Sequence, residues 1–334
     1  MTPTARDLWL LPKAHLHLHL DGAMRRTTLA ELAGRAGIEA PLPTGYGSFA
    51  AFTGTITAAA RCLRTPEDVV RVVDEIAEDT ASAGGVWLEL SMWPGLFEGR
   101  LGTDAAAVEV VLRAARLAAG RQGVGIGLVL AANRDHGPDA ALEIARLAAG
   151  RAADGVVGFG LDGDEKSHPP ASFAEAFGVA RAAGLPALPH AGELLGASSV
   201  ADAVDVLGAR RVLHGVRCLE DPGLVARLAE EGIVLDVCPT SNVLLSVAPS
   251  LEEHPLPALL AAGIPCTVNA DDPLLFGSDL LGEYENCRHR MGLTDERLAR
   301  IAATSLRASA APEDLVATAL RGIEFWLGAA GQSS

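Results

Sequence analysis

The sequence predicts an α/β fold, a (β/α)8 barrel of the TIM type with additional C-terminal helices. Three observations support this prediction. Short apolar stretches alternate with amphipathic stretches, eight of the apolar stretches are typical of strands, and polar residues gather where those strands end. Strands that alternate with helices form a parallel sheet, and eight such strands close into a barrel whose reactive groups lie at the strand ends.

The first predicted strand contains the segment His-Leu-His-Leu-His-Leu-Asp-Gly at 15–22. Side chains alternate along a strand, so its three imidazoles share one face and its leucines share the other. A helix is expected to follow from Thr27, with a hydroxyl cap at its start and Gly37 at its end. The next stretch, 41–57, is rich in Gly, Pro, Thr and aromatics and predicts a long loop of the kind that forms active-site lids.

The same alternation continues without a break in composition. Helices are predicted over 66–84, 105–119, 138–149, 172–183, 198–207, 222–231 and 256–262. Strands are predicted over 86–91, 124–130, 156–161, 186–190, 211–214, 233–237 and 265–271. Further helices are predicted over 280–291, 295–306 and 312–327. We therefore expect one domain over 1–334, with the barrel at about 10–277 and the C-terminal helices at 278–330.

An open, doubly wound sheet is the alternative to the barrel. It is disfavoured because no G-x-G-x-x-G turn follows the first strand and because polar clusters end many of the strands.

The composition narrows the possible partners and the compartment. The formal net charge is −15, and no run of Lys or Arg occurs. Nucleic acid and anionic membranes are therefore not expected as partners, and a small uncharged substrate is favoured. Five cysteines without a C-x-x-C pair are typical of a reduced, cytoplasmic protein. The N-terminal apolar stretch is too short for a signal peptide, and no apolar run approaches the roughly 20 residues that span a bilayer.

The polar residues at the predicted strand ends have the composition of a catalytic metal site. They are His17, His19, Asp21, Gly163, Asp164, His190, Glu193, His214, Asp271 and Asp272. Three imidazoles (His17, His19, His190) and the carboxylate of Asp271 form a nitrogen-rich ligand set that suits zinc. Such a site supplies hydroxide at neutral pH. Glu193 is then placed to transfer protons, and His214 to act as a base or to hold developing charge.

The remaining histidines are assigned no catalytic role. His15 is expected to lie deeper in the barrel and to be a core polar group. No role is predicted for His136, His168, His254 or His289.

Six ordered motifs together resemble the adenosine deaminase family of the amidohydrolase superfamily. The resemblance covers nearly the whole chain. The motifs are P-K-A-H-L-H-L-H-L-D-G-A (12–23), L-D-G-D-E (161–165), H-A-G-E (190–193), L-H-G-V-R (213–217), V-C-P-T-S-N-V (237–243) and V-N-A-D-D-P (268–273).

The resemblance implies a role for each site residue. His17, His19, His190 and Asp271 would bind one zinc ion, Glu193 would protonate N1 of a purine, and His214 would orient and deprotonate the water that attacks C6. Asp272 would face N7, the backbone of Gly163 would approach N3, and Asp21 would bind a ribose hydroxyl. The implied reaction converts adenosine, or a close 6-aminopurine nucleoside, to the 6-oxo purine and ammonia.

Two related metal schemes do not fit the sequence. Cytidine-type deaminases use P-C-x-x-C ligands, and no C-x-x-C occurs here. Related enzymes with two metals bridge them through a lysine at the end of strand four, whereas Lys166 lies several residues beyond that strand. A single metal is therefore predicted.

Three departures from the family pattern leave the substrate open. Glutamate is common at the position of His15, a small residue at that of Asp162, and arginine at that of Ser91 in relatives that use adenosine. Aminodeoxyfutalosine, adenine and N6-substituted adenines are alternative substrates, although Thr240 resembles the nucleoside deaminases. An inactive purine-binding protein is the alternative of a different class.

Overall fold

The computed structural model describes residues 6–41, 46 and 49–328. Within these residues eight parallel strands pair in the order β1 to β8. Their bounds are β1 Lys13–His19, β2 Gly85–Met92, β3 Gly125–Asn133, β4 Val156–Asp162, β5 Ala187–Ala191, β6 Arg211–His214, β7 Val234–Val237 and β8 Cys266–Val268.

Contacts between the first and last strands close the sheet. The N–H of Asp271 donates to the carbonyl of His17, and the N–H of His19 donates to the carbonyl of Asp271, each at 3.1 Å. The side-chain oxygen of Asn269 also accepts from the backbone N–H of Leu16 at 2.8 Å. The predicted barrel with C-terminal helices is confirmed.

Helices surround the sheet and extend past its last strand. Their bounds are α1 Arg26–Ala36, α2 Phe49–Ala60, α3 Pro66–Ser82, α4 Asp104–Gln122, α5 Gly137–Ala149, α6 Ala174–Ala182, α7 Ala197–Asp205, α8 Pro222–Glu231, α9 Pro239–Leu244, α10 Leu256–Ala261, α11 Pro273–Phe276, α12 Leu280–His289, α13 Asp295–Ala308 and α14 Glu313–Gly328. α13 packs on β1, where the N–H of Ala14 donates to Ser305 Oγ at 2.9 Å. No helix in the described part of the chain is long and apolar enough to cross a membrane.

Two features of the first βα unit differ from the prediction. α1 begins without a side-chain cap because its N-cap residue is Arg25. The Thr28 hydroxyl lies inside the first turn and donates to Glu75 of α3 at 2.7 Å. Part of the predicted loop 41–57 is helical, since α2 begins at Phe49; residues 42–45, 47 and 48 lie outside the described part. Phe52 of α2 is buried and stacks on Phe276 of α11, which follows β8, with ring centroids 5.4 Å apart. This packing outweighs the modest helix propensity of the Gly and Thr residues of α2.

Candidate active site

The four predicted metal ligands lie together at the C-terminal end of the barrel. The Nε2 atom of His17 is 3.1 Å from His190 Nε2 and 3.3 Å from Asp271 Oδ1. The Nε2 atom of His19 is 3.4 Å from the same carboxylate oxygen. Ligand atoms of His17, His190 and Asp271 converge in a buried space together with one of His214, whereas His19 groups with His190 and Asp162 beside it. Imidazole nitrogens and a carboxylate oxygen that converge in this way fit a divalent metal with a preference for nitrogen, as zinc has.

The backbone around this cluster is strained at two site residues. His214 and Asp271 have φ values of 62° and 60°, in the left-handed region that non-glycine residues rarely adopt. Each such residue costs roughly 1–2 kcal/mol, so the surrounding structure must hold it. For Asp271 the closing hydrogen bonds between β1 and the end of β8 do so.

The outer nitrogens of the imidazoles face oxygen atoms of the fold. Nδ1 of His190 lies 3.1 Å from the carbonyl of Leu161 and 3.1 Å from Asp162 Oδ1. The second oxygen of Asp162 is 3.7 Å from His19 Nδ1. Although burial opposes the ionised form, the neighbouring imidazoles of His19 and His190 lower the pKa of Asp162. Asp162, a departure from the family pattern, therefore lies at ion-pair distance from two of the cluster's imidazoles and contacts that of His190.

Glu193 lies next to this cluster. Its Oε1 atom is 3.5 Å from His214 Nε2, and the whole side chain is buried. Burial, reinforced by the charge of Asp271, raises the pKa of Glu193 to about 8. The carboxyl group is consequently protonated at neutral pH and has a proton to donate.

A second buried glutamate holds the loop that carries Glu193. One oxygen of Glu165 accepts from Gly192 N–H at 2.8 Å and from the Ser199 hydroxyl at 2.6 Å. Its other oxygen accepts from the backbone N–H groups of Glu193, Leu194 and Leu195 at 3.0, 2.6 and 2.9 Å. We call this arrangement the Glu165 cradle. Sequence reasoning missed it, although Glu165 ends the L-D-G-D-E motif.

The cluster opens into a cavity of about 620 Å³. Asp21, Gly163 and Asp272 line it, together with an apolar wall that includes Phe49 and Phe52 of α2. Burial, with the charges of Asp162 and Asp271, raises the pKa of Asp21 to about 7.

Two glycines shape the floor of the cavity. A Cβ atom at Gly22 would lie 1.6 Å from Asp272 Oδ1, so only glycine fits there. Burial, together with Asp271 and Asp21, holds the pKa of Asp272 well above its ordinary value. Gly163 has a φ of 91° and would meet Asn133 Oδ1 at 2.6 Å if it carried a Cβ.

The other residue singled out on β1 lies away from the cavity. His15 is buried, and its Nε2 atom accepts from the N–H of Ala270 at 3.2 Å. Burial lowers the pKa of His15 to about 3, so that the ring is neutral. It acts as a core hydrogen-bond acceptor.

The chain is similar to known proteins over nearly its whole length. Residues 12–324 match the adenosine deaminase family. The chain belongs to this family. It is 46% identical to a putative adenosine/adenine deaminase of Streptomyces virginiae, over 97% of this chain and 98% of that protein. It is 38% identical to an adenine deaminase of Sinorhizobium medicae, over 90% and 94% of the two chains.

Solved structures of family members share the fold. The adenine deaminase of Arthrobacter aurescens superimposes with a TM-score of 0.88 at 33% identity, over 95% of this chain and 99% of that one. An amidohydrolase from Burkholderia ambifaria with bound Zn gives a TM-score of 0.86 at 30% identity, over 97% and 93%. The chain is accordingly a hydrolase of the deaminase type, and its His/Asp cluster fits one zinc ion.

Proposed function

We propose that the protein deaminates adenosine, or a close 6-aminopurine nucleoside, to the 6-oxo purine and ammonia. The observation that carries this proposal is the position of Glu193, a buried and protonated carboxyl group beside the His/Asp cluster and on the wall of the cavity. The volume of about 620 Å³ exceeds what a purine base alone fills, and Asp21 offers a carboxyl group for a sugar hydroxyl.

The proposed chemistry uses four metal ligands and one acid, Glu193, around the purine. His17, His19, His190 and Asp271 would hold the metal, and zinc bound there would lower the pKa of a water molecule to about 7. Glu193 donates its proton to N1, which makes C6 more electrophilic. The water oxygen bonds to C6 and the C6–N6 bond breaks. One water proton leaves with the amine as ammonia, and the other restores Glu193.

The remaining cavity residues orient the substrate in this proposal. Asp272, whose pKa is raised by burial and by Asp271 and Asp21, faces N7. The backbone at Gly163 approaches N3, and Asp21 binds a ribose hydroxyl. His214 lies between Glu193 and Asp271, at 3.5 and 3.8 Å, where it orients the water.

Free adenine is a second candidate substrate. It is favoured by the relatives at 34–38% identity that are named adenine deaminases. We also place the protein in the cytoplasm, because the cysteines of the described part are free and buried thiols.

The test is a spectrophotometric deamination assay of the zinc-loaded protein with adenosine and adenine. We expect Glu193→Gln to lower kcat by about 10²–10⁴-fold without loss of zinc. The matched control is Glu230→Gln, at an exposed position of α8, which should behave as the wild type. Chelation should abolish activity and zinc should restore it.

Each failure has a separate meaning. A higher kcat/KM for adenine than for adenosine would replace the first substrate by the second. If the zinc-bound protein turns over neither adenosine nor adenine, the assay is extended to N6-substituted adenines and aminodeoxyfutalosine. If none of these is deaminated, an inactive purine-binding protein is left as the interpretation. Retained activity in Glu193→Gln would overturn the proposed role of the acid.

A further inference from the structure

A line of hydrogen bonds runs from the start of α10 to the ring of His214. The backbone N–H of Leu256 donates to Nδ1 of His254 at 3.1 Å. Nε2 of His254 lies 3.2 Å from Oδ1 of Asn242. The side-chain nitrogen of Asn242 lies 3.1 Å from Nδ1 of His214. The three side chains are buried, and we call Asn242 and His254 the relay.

The direction of every bond in this line follows from its first donor. A backbone N–H can only donate, so Nδ1 of His254 is an acceptor and the neutral ring carries its proton on Nε2. Burial lowers the pKa of His254 to about 4, which keeps the ring neutral. That Nε2–H donates to the Asn242 oxygen.

The orientation of Asn242 then fixes the tautomer of His214. With its oxygen occupied by His254, Asn242 presents its NH₂ group to Nδ1 of His214. Nδ1 of His214 is therefore an acceptor, and the proton of that neutral ring is on Nε2. This atom points toward Glu193 Oε1 and Asp271 Oδ2, at 3.5 and 3.8 Å.

We propose that Asn242 and His254 are positioning residues that fix His214 as an Nε2–H donor. Under the proposed function, His214 then donates a hydrogen bond to the attacking oxygen and stabilises the charge that develops there. It does not remove the proton from the water.

This inference decides between the two roles that the sequence left open for His214. It also gives a role to His254, which lies 40 positions further along the chain and had none. The inference rests on the proposed function only for the identity of the attacking oxygen. The tautomer itself is a property of the protein without substrate.

The decisive measurement is the ¹⁵N spectrum of the His214 ring in zinc-bound protein labelled on histidine. Protonated and unprotonated ring nitrogens have well-separated ¹⁵N shifts, and His214→Asn identifies the signals. We expect a protonated Nε2 and an unprotonated Nδ1. A protonated Nδ1 would overturn the proposal, whatever the activity.

Asn242→Asp reverses the polarity of the relay. A carboxylate can only accept, so the proton of His214 should move to Nδ1 and leave Nε2 without one. We expect kcat to fall by about 10²–10³-fold, as for other losses of one donor to a developing charge. KM and zinc content should change little. An unchanged tautomer in this folded variant would contradict the relay.

Two substitutions at His254 form a matched pair that keeps the site uncharged. The amide nitrogen of His254→Gln lies where Nε2 lies and still donates to Asn242, so the His214 tautomer and kcat should be retained. His254→Asn still accepts from Leu256 but is too short to reach Asn242. We expect a mixture of His214 tautomers and a loss of kcat of about 10–100-fold.

The outcomes separate this inference from the proposed function. Equal effects of the two His254 variants would indicate a merely structural role and contradict the relay. A donor tautomer at His214 together with no turnover of any purine would refute the function while the relay stands.

Discussion

The two ends of the barrel interior differ in how their buried charged groups are paired. Near the N-terminal end, Arg211 lies between two carboxylates, with its Nε 2.8 Å from Asp236 Oδ2 and an Nη2 contact to Glu89. The second oxygen of Asp236 accepts from the Thr267 hydroxyl at 2.7 Å. At the C-terminal end, carboxyl groups of Asp21, Asp162, Asp271, Asp272 and Glu193 surround the cavity, and the described part of the chain gives none of them an arginine or lysine partner within 4.0 Å.

The charged groups at the N-terminal end stabilise the fold, whereas the titratable groups at the C-terminal end serve the chemistry of the site. Although burial opposes ionisation, the carboxylates of Asp236 and Glu89 hold the pKa of Arg211 above its ordinary value. At the other end, burial and like charges raise the pKa values of Glu193 and Asp21 to about 8 and about 7. Opposite charges stabilise one end. At the other end, Glu193 and Asp21 retain protons that they can donate, and the carboxylates that lie beside imidazoles favour a bound cation.

Breaking the N-terminal network should have the largest effect on stability. Arg211→Met leaves Glu89 and Asp236 buried without a cation, and we expect the free energy of unfolding to fall by about 3–5 kcal/mol. Urea unfolding of the zinc-bound protein measures it. The control is Arg227→Met, whose partly exposed pair with Asp205 at 3.0 Å should contribute less than about 1 kcal/mol. Equal losses would mean that the buried network is no more important than a surface pair.

Loosening the Glu165 cradle should have an intermediate effect, on kcat. Glu165→Gln replaces one acceptor oxygen by an NH₂ group that faces backbone donors, so the loop with Glu193 shifts. We expect kcat to fall by about 10–100-fold with zinc content preserved. The comparison is Glu175→Gln, exposed on α6. An effect on KM alone, with kcat unchanged, would contradict the role of Glu165 in positioning Glu193.

The smallest effect is expected from neutralising Asp21 at the C-terminal end. Its folded-state pKa of about 7 exceeds the ordinary 3.8. Between these pH values the unfolded chain has lost the proton that the folded chain retains, so stability falls as pH rises from about 4 to about 7. Asp21→Asn should remove the contribution of Asp21 to this dependence and stabilise the metal-free protein by about 1 kcal/mol or more at pH 7.

Urea unfolding of the metal-free protein at several pH values between 4 and 7 tests this prediction. Asp135→Asn, at an exposed carboxylate of the same cavity, is the control. If Asp21→Asn were less stable than the wild type at pH 7, the carboxyl group of Asp21 would stabilise the fold, as the buried charges at the N-terminal end do. That result would contradict the contrast between the two ends.

The sequence predicted those parts of the molecule whose signal is local. Alternating imidazoles on β1 and polar residues at strand ends predicted the barrel and the residues that meet in it, because strand periodicity and parallel topology determine both. The helix α2 was not predicted, since its stability comes from packing on the barrel.

The relay and the Glu165 cradle were also missed, for a related reason. His254, Asn242 and His214 are far apart in sequence, and no spacing rule connects them. Glu165 acts through four backbone donors of the loop after β5 and the Ser199 hydroxyl of α7. Such contacts become visible only when the strands have been placed.

The Glu165 cradle also limits how this enzyme can be re-engineered. The backbone segment that carries the acid follows β5, but its shape is determined by a side chain that follows β4. Exchanging the β5 loop with that of a relative, while leaving the β4 loop in place, would separate donors from their acceptor. The two loops therefore form one transferable unit, and a chimera is best built with both from the same parent.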